Sequence, residues 1–437
     1  MPQLHRSLGL WQLTVTGVGI IIGAGIYVLI GAAAEKAGGL LWLSFTVGAL
    51  LAALTGLSYA ELATLFPNAG AEYEFARRAF NEFTGFISGW MMAAANIIGG
   101  ATVSIGFAFY LQRFFDVPTA WGALGMLTVL TVIVSAGVHR SIWLSTALVA
   151  LQVGGLLLVI AAGAPHLGTH SLTENASFPG VLAGAALVFF AFIGFDEVVT
   201  LSEETHDPAH TVPRALWLSL GLSTLLYVAV GIVAVSSVGI DALAQSDRPL
   251  ALVLEQDLGV RGADVIAIIA LAATANTTLL LLTTSTRLLF AMSRGGALPL
   301  YLSRLSSRGH APWVAAIATL VVAAPFALSG RITLVAEVTN FAIYAIFLVV
   351  NASLIRLRFL LPDAPREFRV PLAVAGFSVP ALLAIATTIL MMTYLARSAW
   401  ILGGLMVLSG LGAWLIGPYL GRRAQRAPRD QPGPQGP

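Results

Sequence analysis

Cysteine is absent from the chain, so neither disulfides nor thiol chemistry can contribute. Lysine is almost absent: Lys36 stands alone, and every other basic residue is arginine. Charged residues make up only 10% of the 437, and the net charge of +2 is too small for a nucleic-acid footprint. No nucleic-acid partner is expected. The phosphate-loop pattern G-x-x-x-x-G-K-S/T does not occur, which argues against nucleotide hydrolysis, and H-E-x-x-H is missing as well. His166 and His170, like His206 and His210, have helical spacing. Both pairs fall in polar connecting stretches and Pro208 interrupts the second, so no metal site is expected. No histidine falls inside an apolar run, which removes an intramembrane imidazole relay. With no nucleophile–base or metal constellation, neither enzyme activity nor a cofactor is expected.

Apolar sequence is what remains in abundance. Hydrophobic residues make up 57% of the chain and the mean hydropathy is +0.87, values that mark an all-α polytopic membrane protein embedded in a lipid bilayer. Twelve transmembrane helices are read near 11–34, 40–65, 83–113, 119–138, 141–163, 180–203, 213–238, 262–294, 312–329, 332–359, 372–396 and 398–420. Residues 1–163 form an N-terminal half, 180–359 a second set of five helices, and 372–420 two additional ones. Between the seventh and eighth spans, Asp241 to Asp264 reads as an extended external region without spanning hydrophobicity. The tail, 421–437, is rich in Arg, Pro and Gln and reads as disordered and cytoplasmic. No small-residue cleavage site precedes the first span, which is read as a retained anchor. With both termini in the cytoplasm, most of the 23 basic residues fall on that side, as the positive-inside rule demands of a protein in the cell membrane.

The first span is interrupted. Ile21-Ile22-Gly23-Ala24-Gly25 places two glycines at mid-membrane depth, where a helix is normally continuous. Breaking a helix there frees N–H and C=O groups that lipid cannot satisfy. Freed amides at the start of a half-helix suit a carboxylate and freed carbonyls suit an amine, so a zwitterion would use both. Gly19 and Gly23, four apart, also fit a close helix-packing surface. The sixth span echoes the break: Phe190-Ala191-Phe192-Ile193-Gly194 is followed directly by Phe195, Asp196 and Glu197. Two interrupted helices in corresponding positions of two five-helix halves point to a site built from an inverted repeat. Asp196, an ionisable group at membrane depth, is a coupling candidate, or else caps the inner half-helix.

Other polar residues stand alone in apolar runs. Glu61, just before the Pro67-Asn68-Ala69-Gly70 turn signal, either pairs with cytoplasmic arginines as an inner gate or forms a solvated helix end. Asn96 and Gln152 either bond neighbouring helices or face a cavity. Asn276, Thr277 and Thr278 cluster in the eighth span, and Glu337 lies near the outer end of the tenth.

These segments resemble the amino acid–polyamine–organocation superfamily along nearly the whole chain. The match rests on Gly17 to Val28, Tyr59-Ala60-Glu61-Leu62, Phe66 to Tyr73, Phe189 to Asp196 with Glu203-Glu204 and Asp207-Pro208, Val212-Pro213-Arg214, and Arg287 to Arg294. The resemblance implies a 5+5 inverted repeat with broken helices 1 and 6 plus two additional helices. It also implies amino acid transport by alternating access. By motif, the amides of Ala24 and Gly25 would take the substrate carboxylate. The carbonyls of Ile21, Phe190 and Ile193 would take its amino group, and the Phe190 ring would gate the site. Many proton-linked members carry a helix-5 lysine where this chain has Gln152. Cationic-amino-acid-transporter-like members often read Trp-x-Leu-x-Leu-Glu-Tyr on helix 3, where the last two positions here are Ala95 and Asn96; the acid is missing, and the asparagine resembles the arginine/agmatine-type antiporters. The expected function is therefore secondary transport of an amino acid, by proton-linked symport or by exchange. A cationic amino acid or polyamine antiporter is the alternative, and a channel or transport-inactive nutrient sensor is the alternative of another class. Sodium, the less favoured coupling ion, would take oxygen from Thr277 or Thr278 and helix-1 carbonyls.

Overall fold

A computed structural model describes residues 8–66, 71–137, 142–201, 205–306, 311–374 and 376–426. The Pro67–Gly70 turn, Glu203, Glu204 and the last eleven residues of the tail lie outside the described residues. Helices dominate. The opening span is two helices, α1 (Leu10–Ile21) and α2 (Gly25–Ala37), followed by α3 (Leu41–Leu65) and a short amphipathic α4 (Ala71–Ala79). Next come α5 (Glu82–Leu111), α6 (Thr119–Ser135) and α7 (Ile142–Gly163). The sixth span is also divided, into α8 (Phe178–Val188), a 3-10 turn (Phe189–Phe192) and α9 (Glu197–Thr200). The chain then runs through α10 (Pro208–Val238), α11 (Ile240–Ala244), α12 (Pro249–Arg294), α13 (Trp313–Leu328), α14 (Ile332–Leu360), α15 (Val379–Thr393) and α16 (Arg397–Arg426).

Eight of the described helical stretches are long and apolar enough to cross a membrane, and α1, α6, α13 and α15 are shorter apolar helices. Large side chains such as Trp121, Val129, Val132, Ile268, Val321 and Leu408 point outward and are more than half exposed. A belt of that kind is unstable in water and suits lipid, so the chain is a multi-pass membrane protein. Inside, small residues let helices close on one another. A Cβ on Gly106 of α5 would lie 2.1 Å from Val28 of α2, and one on Gly19 of α1 only 2.3 Å from Val149 of α7. Side-chain caps begin several helices: Asn81 accepts from Thr84 N–H at 2.9 Å before α5, and Ser177 from Gly180 N–H at 3.1 Å before α8.

Three boundaries differ from the sequence expectation. Asp241 to Asp264 is mostly helical, in α11 and, after a turn at 245–248, the first turns of α12, with a kink where Gly259 takes φ +65°. Its charged residues remove the spanning signal without removing helix propensity, which hydropathy alone does not register. The span read from 372 begins with a two-stranded hairpin, Ala373–Val374 with Phe377–Ser378, and turns helical only where Ser378 caps α15 and Pro380 opens it. The tail read from 421 begins later, because α16 continues to Arg426 through Arg, Ala and Gln, which are strong helix formers.

Candidate functional site

The two breaks meet at the centre of the bundle. After Ile21 the backbone leaves the helical path at Ile22 (ψ 60°), and α2 starts at Gly25. Gly23 N–H turns back to Ile21 O at 2.8 Å, and Ala24 N–H donates to Thr277 Oγ1 of α12 at 3.1 Å. The first bond of α2 runs from Val28 N–H to Ala24 O, so the N–H groups of Gly25, Ile26 and Tyr27 have no partner within their helix. Their dipole end faces the same space. In the sixth span, Ile193 is extended (ψ 133°) after the 3-10 turn, and Gly194 takes φ +111°, a conformation open to glycine. A Cβ on Gly194 would also lie 2.7 Å from Ile20.

The breaks touch through backbone. A Cβ on Gly25 would approach Ala191 Cα to 2.6 Å, so only glycine allows this crossing. Tyr227 of α10 ties the two together: its hydroxyl donates to Ile21 O at 2.7 Å and to Ala191 O at 2.9 Å. With Gly23 N–H also bound there, both acceptor positions of the Ile21 carbonyl are occupied in this conformation.

A cavity of about 40 Å³ lies against this crossing, lined by Ile21, Gly23, Ala24, Gly25, Phe190 and Ala191, with Ile193, Asn96 and Thr277 beside them. Sequence reasoning missed Ile20, Ala95, Gly99, Leu281 and Thr339, which complete the wall. Asn96, Thr277 and Thr339 supply the only polar side chains of the lining, and none is ionisable. A second cavity of about 140 Å³ shares Ile20, Asn96, Ile193, Thr277 and Leu281 with the first and reaches Gly194, Asp196 and Glu197. Asp196 is buried, and its Oδ1 accepts from Gly194 N–H at 3.2 Å.

The remaining sequence candidates lie off the cavity. Ile22 is fully buried behind the break. Gln152 is buried with both amide atoms unpartnered, while its backbone carbonyl accepts from the Tyr27 hydroxyl at 2.6 Å. Asn276 and Thr278 are buried on α12, and the Thr278 hydroxyl has no hydrogen-bond partner. Glu61 and Glu337 mark opposite ends of the bundle. Glu337 pairs with Lys36 at 2.8 Å and accepts from Ala396 N–H at 2.9 Å. Glu61 is fully buried, 2.5 Å from Arg358 and 3.2 Å from Arg366. Among the described residues no group of three potential metal ligands comes together.

Comparison with known proteins agrees with this architecture. The chain is similar to the branched-chain amino acid permease of Bacillus subtilis, with 32% identity covering 93% of this chain and 92% of that protein. It is also similar to the methylthioribose transporter of Bacillus subtilis, at 30% identity over 84% and 85% of the two chains. A vacuolar cationic amino acid transporter of Arabidopsis thaliana matches at 31% identity over 83% of this chain and 61% of its own length. These relatives are permeases and transporters, not enzymes. Residues 8–415 match the family model described as amino acid permease, and the chain belongs to that family of amino acid transport proteins.

Proposed function

We propose that this chain is a secondary transporter for neutral, aliphatic amino acids of branched-chain size, working by alternating access in the cell membrane. The observation that carries the reading is the make-up of the cavity. Backbone amides at the start of α2 have no helical partner and would take a carboxylate, Phe190 and Ile193 of the second break line the same cavity, where their carbonyls would take an amine, and the surrounding side chains carry no charge. An apolar wall of Ile20, Leu281 and Phe190 suits an aliphatic side chain. The similarity to a branched-chain amino acid permease points the same way. The twelve-span layout, the inverted repeat of residues 1–163 and 180–359, and cytoplasmic termini belong to this reading. The two divided helices and their contact at the centre of the bundle support it.

A carrier of cationic amino acids or polyamines is the rival, supported by the plant relative. Such a substrate needs an acid within reach of its charged end, and the cavity lining has none; Asp196 belongs to the neighbouring cavity. The test is uptake into proteoliposomes of radiolabelled leucine, isoleucine, valine, arginine and putrescine. Each is offered with an inward proton gradient, with a sodium gradient, or with internal unlabelled substrate. Leucine, isoleucine and valine should be taken up and should compete with one another, and arginine should not compete. Preferred arginine uptake would overturn the assignment. Binding without flux would identify a sensor, and conductance without counter-substrate stimulation a channel.

Tyr227 offers a finer check. In Tyr227→Phe the Ile21 and Ala191 carbonyls lose a shared donor within buried surroundings, at a cost of about 1–3 kcal/mol. Leucine affinity measured by equilibrium binding should weaken by roughly tenfold while the protein stays folded. An unchanged affinity would mean that this tie does not hold the site.

A further inference from the structure

We propose that Glu72 and Asp196 form a carboxyl pair that shares one exchangeable proton beside the substrate cavity, and that this pair couples transport to the proton gradient. The proposal rests on the transporter reading above and adds the proton site. Glu72 opens α4 yet is only 8% exposed, unlike the other acid in its helix. Glu74 is neutralised by Arg77 and Arg78 at 2.8 and 2.7 Å. Among the described residues, no arginine or lysine pairs with Glu72 or Asp196.

Tyr59 of α3 joins the two acids. Its ring packs edge-on against Phe75, one turn beyond Glu72, at 6.2 Å, and against Phe195, next to Asp196, at 5.9 Å. The Tyr59 hydroxyl is fully buried and makes no well-formed hydrogen bond. The Glu72, Asp196 and Glu197 carboxyls are the charged groups around it. The single Tyr59 O–H carries no charge, so donating to one of the buried Glu72 and Asp196 carboxylates leaves their like-charge repulsion in place. One proton on the pair removes that repulsion.

The other elements against α4 have their charges committed elsewhere. On α5, Glu82 is held by Tyr73 at 3.1 Å and by Arg77 at 3.1 Å. On α14, Arg356 lies over the Phe80 ring at 5.0 Å, and Arg358 is bound to Glu61. Burial first, and then the Asp196 charge, push the Glu72 carboxyl up to about 8. A raised value means that Glu72 holds its proton below that pH and releases it above, near the range in which a transport cycle must load and unload.

Geometry connects this proton to substrate. Asp196 reaches the cavity that shares Asn96, Ile193 and Thr277 with the substrate cavity, and its carboxylate holds Gly194 N–H in the break. Protonating Asp196 weakens that bond and releases the turn that carries the Ile193 carbonyl. The proton enters from the acidic side, resides on the pair while substrate is bound, and leaves to the opposite side as the break rearranges.

The test uses the full chain in two measurements. Infrared titration in lipid nanodiscs, from about pH 6 to about pH 9, reads the C=O stretch of a protonated buried carboxyl without any substrate. Wild type should lose such a band near about pH 8, Glu72→Gln should lack it, and Asp196→Asn should shift it. An identical titration in Glu72→Gln would overturn the proposal. Proteoliposome uptake then compares leucine accumulation driven by an inward proton gradient with leucine counterflow. In Glu72→Gln the ratio of the two should fall at least about tenfold. An unchanged ratio, or a wild type that shows counterflow with no proton-driven accumulation, would also overturn the proposal. A wild type with the infrared band but no leucine flux of either kind would overturn the substrate assignment and leave the proton pair standing.

Discussion

A Gly25→Val variant should lose leucine transport by more than about 100-fold, the equivalent of about 3 kcal/mol. The reason differs from the one the sequence suggests. Read alone, Gly25 looks like a position that must stay bare so that a carboxylate can approach. In the structure, an added Cβ meets Ala191, with Cα at 2.6 Å, Cβ at 2.9 Å and N at 3.1 Å. Two of those atoms are backbone, which cannot turn away as a flexible side chain would. The α2 segment and the Phe189–Phe192 turn would have to separate. That would pull the free amides of α2 away from the carbonyls opposite and break the Tyr227 tie. Even Gly25→Ala should fail, because the first carbon already clashes. The control is Gly154→Ala on α7, where a Cβ would meet nothing within 4 Å, and uptake should stay within about twofold of wild type. Both variants are read as leucine uptake per folded molecule in proteoliposomes. Full transport in Gly25→Ala would mean that the crossing of the two breaks is not the site.

The breaks themselves were legible because their cause is local. Gly23, Gly25 and Gly194 weaken a helix wherever they stand, and their position inside an apolar run turns that weakness into a signal. What crosses the bundle was not legible. Tyr227 is one aromatic residue in an apolar stretch, and its partners are backbone carbonyls 206 and 36 positions away. Glu72 follows a turn signal in the sequence, and neither its burial nor the nearness of Asp196 is written in its neighbours. Thr277 is a candidate oxygen ligand for sodium in the sequence, and its hydroxyl's acceptance from Ala24 N–H, 253 positions away, has no local signature. The composition of the cavity wall had the same limit. Ile20, Ala95 and Leu281 are ordinary apolar residues until three separate helices bring them onto one surface.

The second large effect concerns stability. Glu61→Ala should destabilise the protein by about 3–5 kcal/mol, seen as a large drop in thermal midpoint in detergent. Glu61 Oε1 accepts from Arg358 Nε at 3.0 Å, and Oε2 accepts from Arg358 Nη2 at 2.5 Å and from Val370 N–H at 2.7 Å. Arg358 donates to Val370 O at 3.0 Å, and Arg366 Nε lies 3.2 Å from the same carboxylate. The side chains are 0%, 1% and 4% exposed, so water cannot replace the lost partner. Removing the acid strands two guanidinium groups and an amide inside the protein, and that desolvation cost sets the magnitude. The network fastens the segment after α14 onto the end of α3, which points to a structural clasp more than to a gate that opens in every cycle. Two measurements separate those roles. A clasp predicts fewer folded molecules with near-normal leucine turnover in each, whereas a gate predicts normal melting with altered turnover. Glu74→Ala is the comparison, since its arginine partners are 30% and 53% exposed and its loss should cost no more than about 1 kcal/mol. If Glu61→Ala melted no earlier than Glu74→Ala, the buried carboxylate would not be holding the two elements together.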